Sequence, residues 1–216
     1  VHTVTGRRSL PIREEGATGR ISRDHSVDVE PAGRQPFAVL TLIGGKWTTF
    51  RVFGEEVADL ALAELGRARS VDTYDLKIGG GRNLPVDARE RAAGSRQCAG
   101  TAGLTEARFS TLVSRYGSRS EAVAAFMAEG DDAALASAPD YSRRELLFLI
   151  ENERVREIGD ILLRRTTLGI EGRINAELTS EIAALLGSTF GWSVEETSKA
   201  VARFNETIEH RHRIQH

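Results

Sequence analysis

Three Ser-x-x-Glu segments, Ser118 to Glu121, Ser142 to Glu145 and Ser193 to Glu196, each stand at the head of a run whose apolar residues recur at helical spacing. In such a box the serine hydroxyl accepts from the backbone N–H three residues on, and the glutamate reaches back to the serine N–H. Gly117 and Gly130 stand where helices stop. The pattern predicts helices over 105–116, 120–129, 142–165, 175–187 and 194–212, packed with short connections into a compact bundle. The expected core is Leu146, Leu149, Ile150, Ile158, Leu162, Leu178, Ile182, Leu185, Leu186, Val194, Val201, Phe204 and Ile208. The arginines and glutamates between them are expected on a solvated face, laced by pairs four residues apart.

The first third reads differently. Residues 1–36 are short polar segments punctuated by Gly6, Pro11, Gly16, Gly19, Pro31, Gly33 and Pro36, as brief strands and turns would be. An apolar strand, Phe37 to Ile43, then runs into Gly44-Gly45-Lys46-Trp47-Thr48-Thr49, and Phe50, Phe53, Val57, Leu60 and Ala61 mark one face of a helix that Gly66 ends. Phe50 and Phe53 are expected to pack as core. A strand that stops at two glycines and restarts as a helix leaves backbone N–H groups unpaired at the positive end of the helix dipole, an arrangement suited to an anion. The glycines permit a positive φ and a close approach, and Lys46 adds a full charge. Thr48 or Thr49 is expected to cap the helix or to bond a ligand, and Trp47 to pack on a ligand or on the protein. The spacing is not that of a Walker A loop. The chain has only three lysines, Lys46, Lys77 and Lys199, against many arginines, which makes a lysine at this turn notable.

Residues 67–104 read as a linker in which Gly79, Gly80 and Gly81 form a hinge and Asp87 to Ala93 a short helix. The expected division is therefore 1–66, 67–104 and a helical 105–216, an α+β chain that is mostly α.

Charge is nearly balanced, 29 basic against 31 acidic residues, and gives no field that argues for nucleic acid. One cysteine, Cys98, excludes an intramolecular disulfide and suits a reducing cytoplasm. No apolar run approaches the roughly 20 residues of a membrane-spanning helix. His210, His212 and His216 have metal-like spacing but no carboxylate or cysteine set beside them, and read as a polar tail; no metal site is expected. Neither Tyr141 nor Cys98 has a partner in sequence that would make it a nucleophile.

Ile43-Gly44-Gly45-Lys46-Trp47-Thr48-Thr49-Phe50-Arg51, preceded by Ile21-Ser22-Arg23-Asp24-His25-Ser26-Val27, resembles the C-terminal half of FAD-dependent glycerol-3-phosphate dehydrogenases. The resemblance continues through Leu112 to Ser118 and Ile161 to Gly169, and so covers nearly the whole chain. It implies a strand segment belonging to an FAD-binding domain, followed by a helical C-terminal bundle. It also implies oxidation of sn-glycerol 3-phosphate to dihydroxyacetone phosphate by hydride transfer to FAD, with electrons passed to a membrane quinone and the protein held peripherally at the cytoplasmic membrane. Lys46, Arg23 and Arg8 are implied as the cationic substrate pocket, and Gly44, Gly45, Lys46, Trp47, Thr48 and Thr49 as the flavin-facing turn. Arg8 stands in Thr5-Gly6-Arg7-Arg8-Ser9-Leu10, where Ser9 replaces the family's proline and Arg7 leaves the alignment ambiguous by one residue. No Gly-x-Gly-x-x-Gly follows a strand, so the nucleotide half of the flavin site and the base for the hydroxyl proton are expected upstream of this chain, which alone is expected to be inactive. Two other readings remain open: a glycerol-3-phosphate oxidase that uses oxygen, and a non-catalytic helical interaction or regulatory module with Lys46 exposed and unpaired.

Overall fold

The computed structural model describes residues 24–33, 35–85 and 87–212. They fall into two compact units that divide between Lys77 and Ile78.

In the first unit, β1 (Ser26–Glu30) and β2 (Val39–Ile43) form an antiparallel ribbon in which Ser26 faces Ile43 and Glu30 faces Val39. After the two glycines, one 3-10 turn (Trp47–Thr49) leads into α1 (Phe50–Glu64). The helix stops as Gly66 predicts: its φ is +66°, and Arg67 N–H bonds the Leu62 carbonyl at 2.8 Å and Gly66 N–H the Ala63 carbonyl at 3.0 Å, the doubled closure of a glycine-ended helix. The chain then folds back along α1. The Glu55 carboxylate accepts from Thr73 N–H at 2.5 Å and Thr73 Oγ1 at 2.6 Å, Arg69 pairs with Asp59 at 2.8 Å, and the Arg51 guanidinium donates to the Thr73 carbonyl. These contacts hold the Glu55 carboxyl below its usual range, the Thr73 hydroxyl most of all. Arg69 and Thr73 thus strap the segment after Gly66 to α1. Among the described residues of this unit no side chain is buried; Phe53 is half-buried, and Phe50, expected as core, is exposed.

The second unit is helical: α2 (Ala88–Thr101), α3 (Glu106–Tyr116), α4 (Ser120–Ala128), α5 (Arg143–Asn152), α6 (Ala176–Phe190) and α7 (Val194–Thr207). The chain is mostly α with a small two-stranded sheet, as its periodicity indicates. Two stretches depart from expectation. The short helix expected over Asp87 to Ala93 is present but runs on to Thr101 as α2, capped by the Asp87 carboxylate on the N–H groups of Arg89 and Glu90, and its Ala99 is sealed into the core. Glycines at 94 and 100 hide the length of this helix in the sequence, because each lowers helical propensity by about 1 kcal/mol. The presumed hinge is pinned: Ser118 N–H bonds the Gly80 carbonyl at 2.9 Å, and a Cβ on Gly117, whose φ is +59°, would lie 2.1 Å from that oxygen.

The predicted helix 142–165 is broken. It ends at Asn152, Arg154 takes a φ of +57°, and a π-helical turn, Asp160–Arg165, follows. The break lets Val155, Ile158, Ile161 and Leu162 all turn inward, which a straight continuation of α5 would not allow. The other predicted core residues are buried except two: Val201 is half-buried, and Val194 is 86% exposed because it is the first residue of α7, directly after the Ser193 cap.

The largest correction concerns the face expected to be solvated. Ser142 does cap α5, but Glu145 does not reach back to it. Its carboxylate is 0% exposed and accepts from Arg108 Nη2 at 2.5 Å, Arg115 Nη1 at 3.0 Å and Tyr116 Oη at 2.7 Å. Arg115 continues to Asp140 Oδ2 at 2.7 Å and lies 3.5 Å over the Tyr141 ring, and Asp140 Oδ1 accepts from Arg173 at 2.6 Å. Burial and the adjoining Glu145 charge push the Tyr116 hydroxyl pKa far up, so it stays a donor. Burial works against the Arg115 charge, yet Glu145 and the two tyrosines more than offset it. A buried carboxylate with three charged or hydrogen-bonding partners is costly to break from one side. Glu145→Ala should lower unfolding stability by about 3–5 kcal/mol in urea melts, whereas Val194→Ala should leave it within about 0.5 kcal/mol.

Candidate functional site

The turn at Gly44 to Thr49 is built by three local constraints. Gly44 and Gly45 have φ of +75° and +93°. At Gly44 the backbone passes so close to the start of the ribbon that an added Cβ would lie 2.6 Å from the Asp24 carbonyl oxygen, so the glycine is required by the chain's own approach. At Gly45 an added Cβ would meet the Phe53 ring at an ordinary 3.4 Å, and there the positive φ is the constraint. The third is Thr49. Its Oγ1 accepts from Lys46 N–H and donates to the Lys46 carbonyl, both at 3.2 Å, while Thr49 N–H bonds the same carbonyl at 3.0 Å. The choice left open between Thr48 and Thr49 is thereby resolved: Thr49 closes the turn, and Thr48 is exposed. One of the N–H donors expected to face an anion, that of Lys46, is occupied by this cap.

Around the turn the side chains sort by role. Phe53 stacks on His25 with ring centroids 4.5 Å apart, and His25 Nε2 lies 2.9 Å from Glu56 Oε2, tying β1 to α1. His25 has a structural role that sequence reasoning passed over; its place two residues after Arg23 in the resembling segment was the signal. Lys46 Nζ bonds Asp24 Oδ1 at 3.3 Å, with both side chains substantially exposed. Such an exposed pair contributes little to stability, about 0–1 kcal/mol, and leaves the ammonium reachable from solvent. Trp47, beside it, is 91% exposed, 6.3 Å between ring centroids from the exposed Phe50. A cation, an exposed indole, a free-facing threonine and a phenyl ring therefore share the outer side of a strand-to-helix turn.

Of the expected site residues, the structure brings together Gly44, Gly45, Lys46, Trp47, Thr48 and Thr49. Arg8 and Arg23 lie outside the described residues, as do Ser9 and His216. Asp24 is a partner of Lys46. Elsewhere Tyr141 is buried beneath Arg115, and burial, followed by the nearby Glu121 charge, raises the Cys98 thiol pKa and disfavours a thiolate. Among the described residues no three His, Cys, Asp or Glu side chains gather as a metal site.

Residues 71–197 match the family described as the C-terminal domain of alpha-glycerophosphate oxidase. The chain belongs to this family. The match runs from the segment before the helical unit through α6 into the start of α7, and leaves the glycine turn outside it. Relatives cover more: glycerol-3-phosphate dehydrogenase of Mycobacterium leprae is 29% identical over 94% of this chain and 34% of its own length. Alpha-glycerophosphate oxidase of Enterococcus casseliflavus is 29% identical over 93% of this chain and 34% of its own length. The chain thus spans about a third of the length of the curated relatives it matches. The solved structure of glycerol-3-phosphate dehydrogenase from Bacillus halodurans, complexed with FAD, superposes with a TM-score of 0.60 over 80% of this chain and 39% of that one, at 19% identity, which establishes likeness of fold.

The glycine turn makes a direct comparison available on α1. Gly44→Ala introduces both the Asp24 clash and left-handed strain, and should cost about 1–3 kcal/mol. Gly54, inside α1, has open space at its Cβ position, so Gly54→Ala should gain up to about 1 kcal/mol. Opposite shifts of the same thermal transition, followed by far-UV circular dichroism, are the expected outcome.

Proposed function

We propose that this chain is the C-terminal part of an FAD-dependent glycerol-3-phosphate dehydrogenase that oxidises sn-glycerol 3-phosphate to dihydroxyacetone phosphate. The observation that carries the reading is the outer face of the Gly44-to-Thr49 turn: Lys46, Trp47 and Thr48 stand exposed on a unit that buries none of its described side chains, as the rim of a larger domain would. The curated relatives that span nearly the whole chain support the substrate. Against the interaction-module reading stands the pairing of Lys46 with Asp24, since that reading requires the lysine unpaired.

The residues present fit an anionic, planar ligand. The turn offers the positive end of α1 and a lysine, which favour negative charge, and an indole suited to a flat ring system. Bound FAD supplies the two-electron acceptor for the hydride leaving the substrate carbinol carbon. Lys46 would offer its ammonium to the substrate phosphate or to negative charge on the flavin, exchanging the weak Asp24 contact for a stronger, less solvated one. Arg23 and Arg8 complete the cationic pocket in this proposal, arginine being suited to two phosphate oxygens at once. Gly44 and Gly45 keep side chains out of the approach, and Thr49, besides its place in the flavin-facing turn, holds the turn's geometry.

In this reading the electrons pass to a membrane quinone, and the protein works at the cytoplasmic face of the membrane as a peripheral protein. The Enterococcus relative, named as an oxidase, favours oxygen as the second candidate acceptor.

The test is anaerobic stopped-flow reduction in the flavin-loaded protein that contains this chain. Glycerol 3-phosphate should bleach the flavin rapidly, and Lys46→Ala should slow bleaching by about 100-fold or more, the scale of one lost electrostatic contact to a transition state. Bleaching by an unrelated alcohol but not by glycerol 3-phosphate would overturn the substrate. An unchanged Lys46→Ala would remove the lysine from the site.

A further inference from the structure

The helical unit contains a cleft of about 350 Å³ between α7 and the Arg156–Arg164 segment, remote in sequence from the glycine turn. Its size is at the lower end of small-molecule sites. The floor is apolar and aromatic: Phe204 and Ile158 are buried, and the half-buried Trp192 forms a wall. Phe190 extends that wall, 5.7 Å from Trp192, and the Arg156 guanidinium lies 5.9 Å over the Phe190 ring.

The rim is cationic, with Arg156, Arg164, Lys199 and Arg203 facing Glu157 and Glu196. Their existing bonds decide which charges remain available. Arg164 is held by Asp160 at 2.7 Å and Glu157 at 3.2 Å, and Lys199 by Glu195 at 2.6 Å. Glu196 is committed to the Ser193 cap, its Oε2 accepting from Ser193 N–H at 2.7 Å. Arg156 and Arg203 have no carboxylate within 4.0 Å among the described residues. Arg164 and the neighbouring wall come from the π-helical turn Asp160–Arg165, a rare backbone form that recurs at functional sites.

We propose that this cleft binds a small organic anion whose planar apolar body lies against Trp192 and Phe204 and whose phosphate or carboxylate group meets Arg156 and Arg203. The lining offers a contact to each half of the ligand: two exposed guanidinium groups without a carboxylate partner among the described residues for the anion, and an aromatic wall for the apolar body. The site is independent of the flavin reading, because it lies wholly within the helical unit and uses no residue of the glycine turn.

Trp192 supplies the readout. The chain has two tryptophans, so a ¹H–¹⁵N spectrum contains two indole signals, one reporting the cleft and one, from Trp47, reporting the glycine turn. The titrants are phenyl phosphate, benzoate, phenol and inorganic phosphate. The expected result is a saturable shift of the Trp192 signal with phenyl phosphate or benzoate, which separates the two anion types, and at most a weak shift with phenol or inorganic phosphate. Arg156→Met and Arg203→Met should each weaken binding by about tenfold or more, the scale of one charge-assisted hydrogen bond. A Trp192 signal unmoved by phenyl phosphate and benzoate overturns the proposal. So does equal affinity for phenol, or affinity unchanged in both arginine variants. The comparison of ligands on the unsubstituted chain stands even where a variant fails to fold.

Discussion

A carboxylate sealed away from water sets the arrangement of the helical unit. Glu145 sits on α5, and its partners come from α3, so the two helices are registered by directional, charged bonds as well as by apolar contact. Through Arg115 the same network reaches Asp140 and Arg173, which fixes the turn before α5 and the loop before α6. Apolar packing is tolerant of small displacements, whereas a buried charge with three specific donors is not. The surrounding core of Leu112, Leu146, Ile161, Leu162, Leu178 and Leu186 supplies the burial that makes the charged network so sensitive to geometry.

Nothing comparable organises the described residues of 24–77. That unit is held by a five-residue ribbon, the His25 to Phe53 stack, the strap across Glu55 and the Lys46 to Asp24 pair. Each is a surface or half-buried contact, worth little alone. Trp47, Phe50 and Tyr74 are left outside. This contrast is what the proposed function addresses: a helical unit with its own core, and a second unit whose exposed turn would form one wall of the proposed site.

How much of this was legible in the sequence follows from range. The helix ends were readable because Ser193, Glu196, Gly66 and Gly117 act within a few residues of themselves, where hydroxyl caps and positive-φ glycines have local causes. The break after Asn152 was not, since no glycine or proline marks it and it serves the burial of Ile158 and Ile161 against distant helices. Glu145 was misread for the same reason. Its local signature is that of a capping box, and its actual partners lie about thirty residues away. At the glycine turn, periodicity and the glycines located the strand-to-helix junction, while the engagement of Thr49 as the cap and of Asp24 with Lys46 needed coordinates. Arg8 and Arg23 rest on resemblance alone.

The most direct test of this two-part account is amide hydrogen exchange of the chain by itself. Amides of Leu146 to Ile150 and of Leu112 to Tyr116 should exchange only through global unfolding, while those of Val52 to Ala63 should exchange much faster through local opening. Uniform slow exchange across α1 and α5 would contradict the account, because it would show that the glycine-turn unit is stable without anything to complete it.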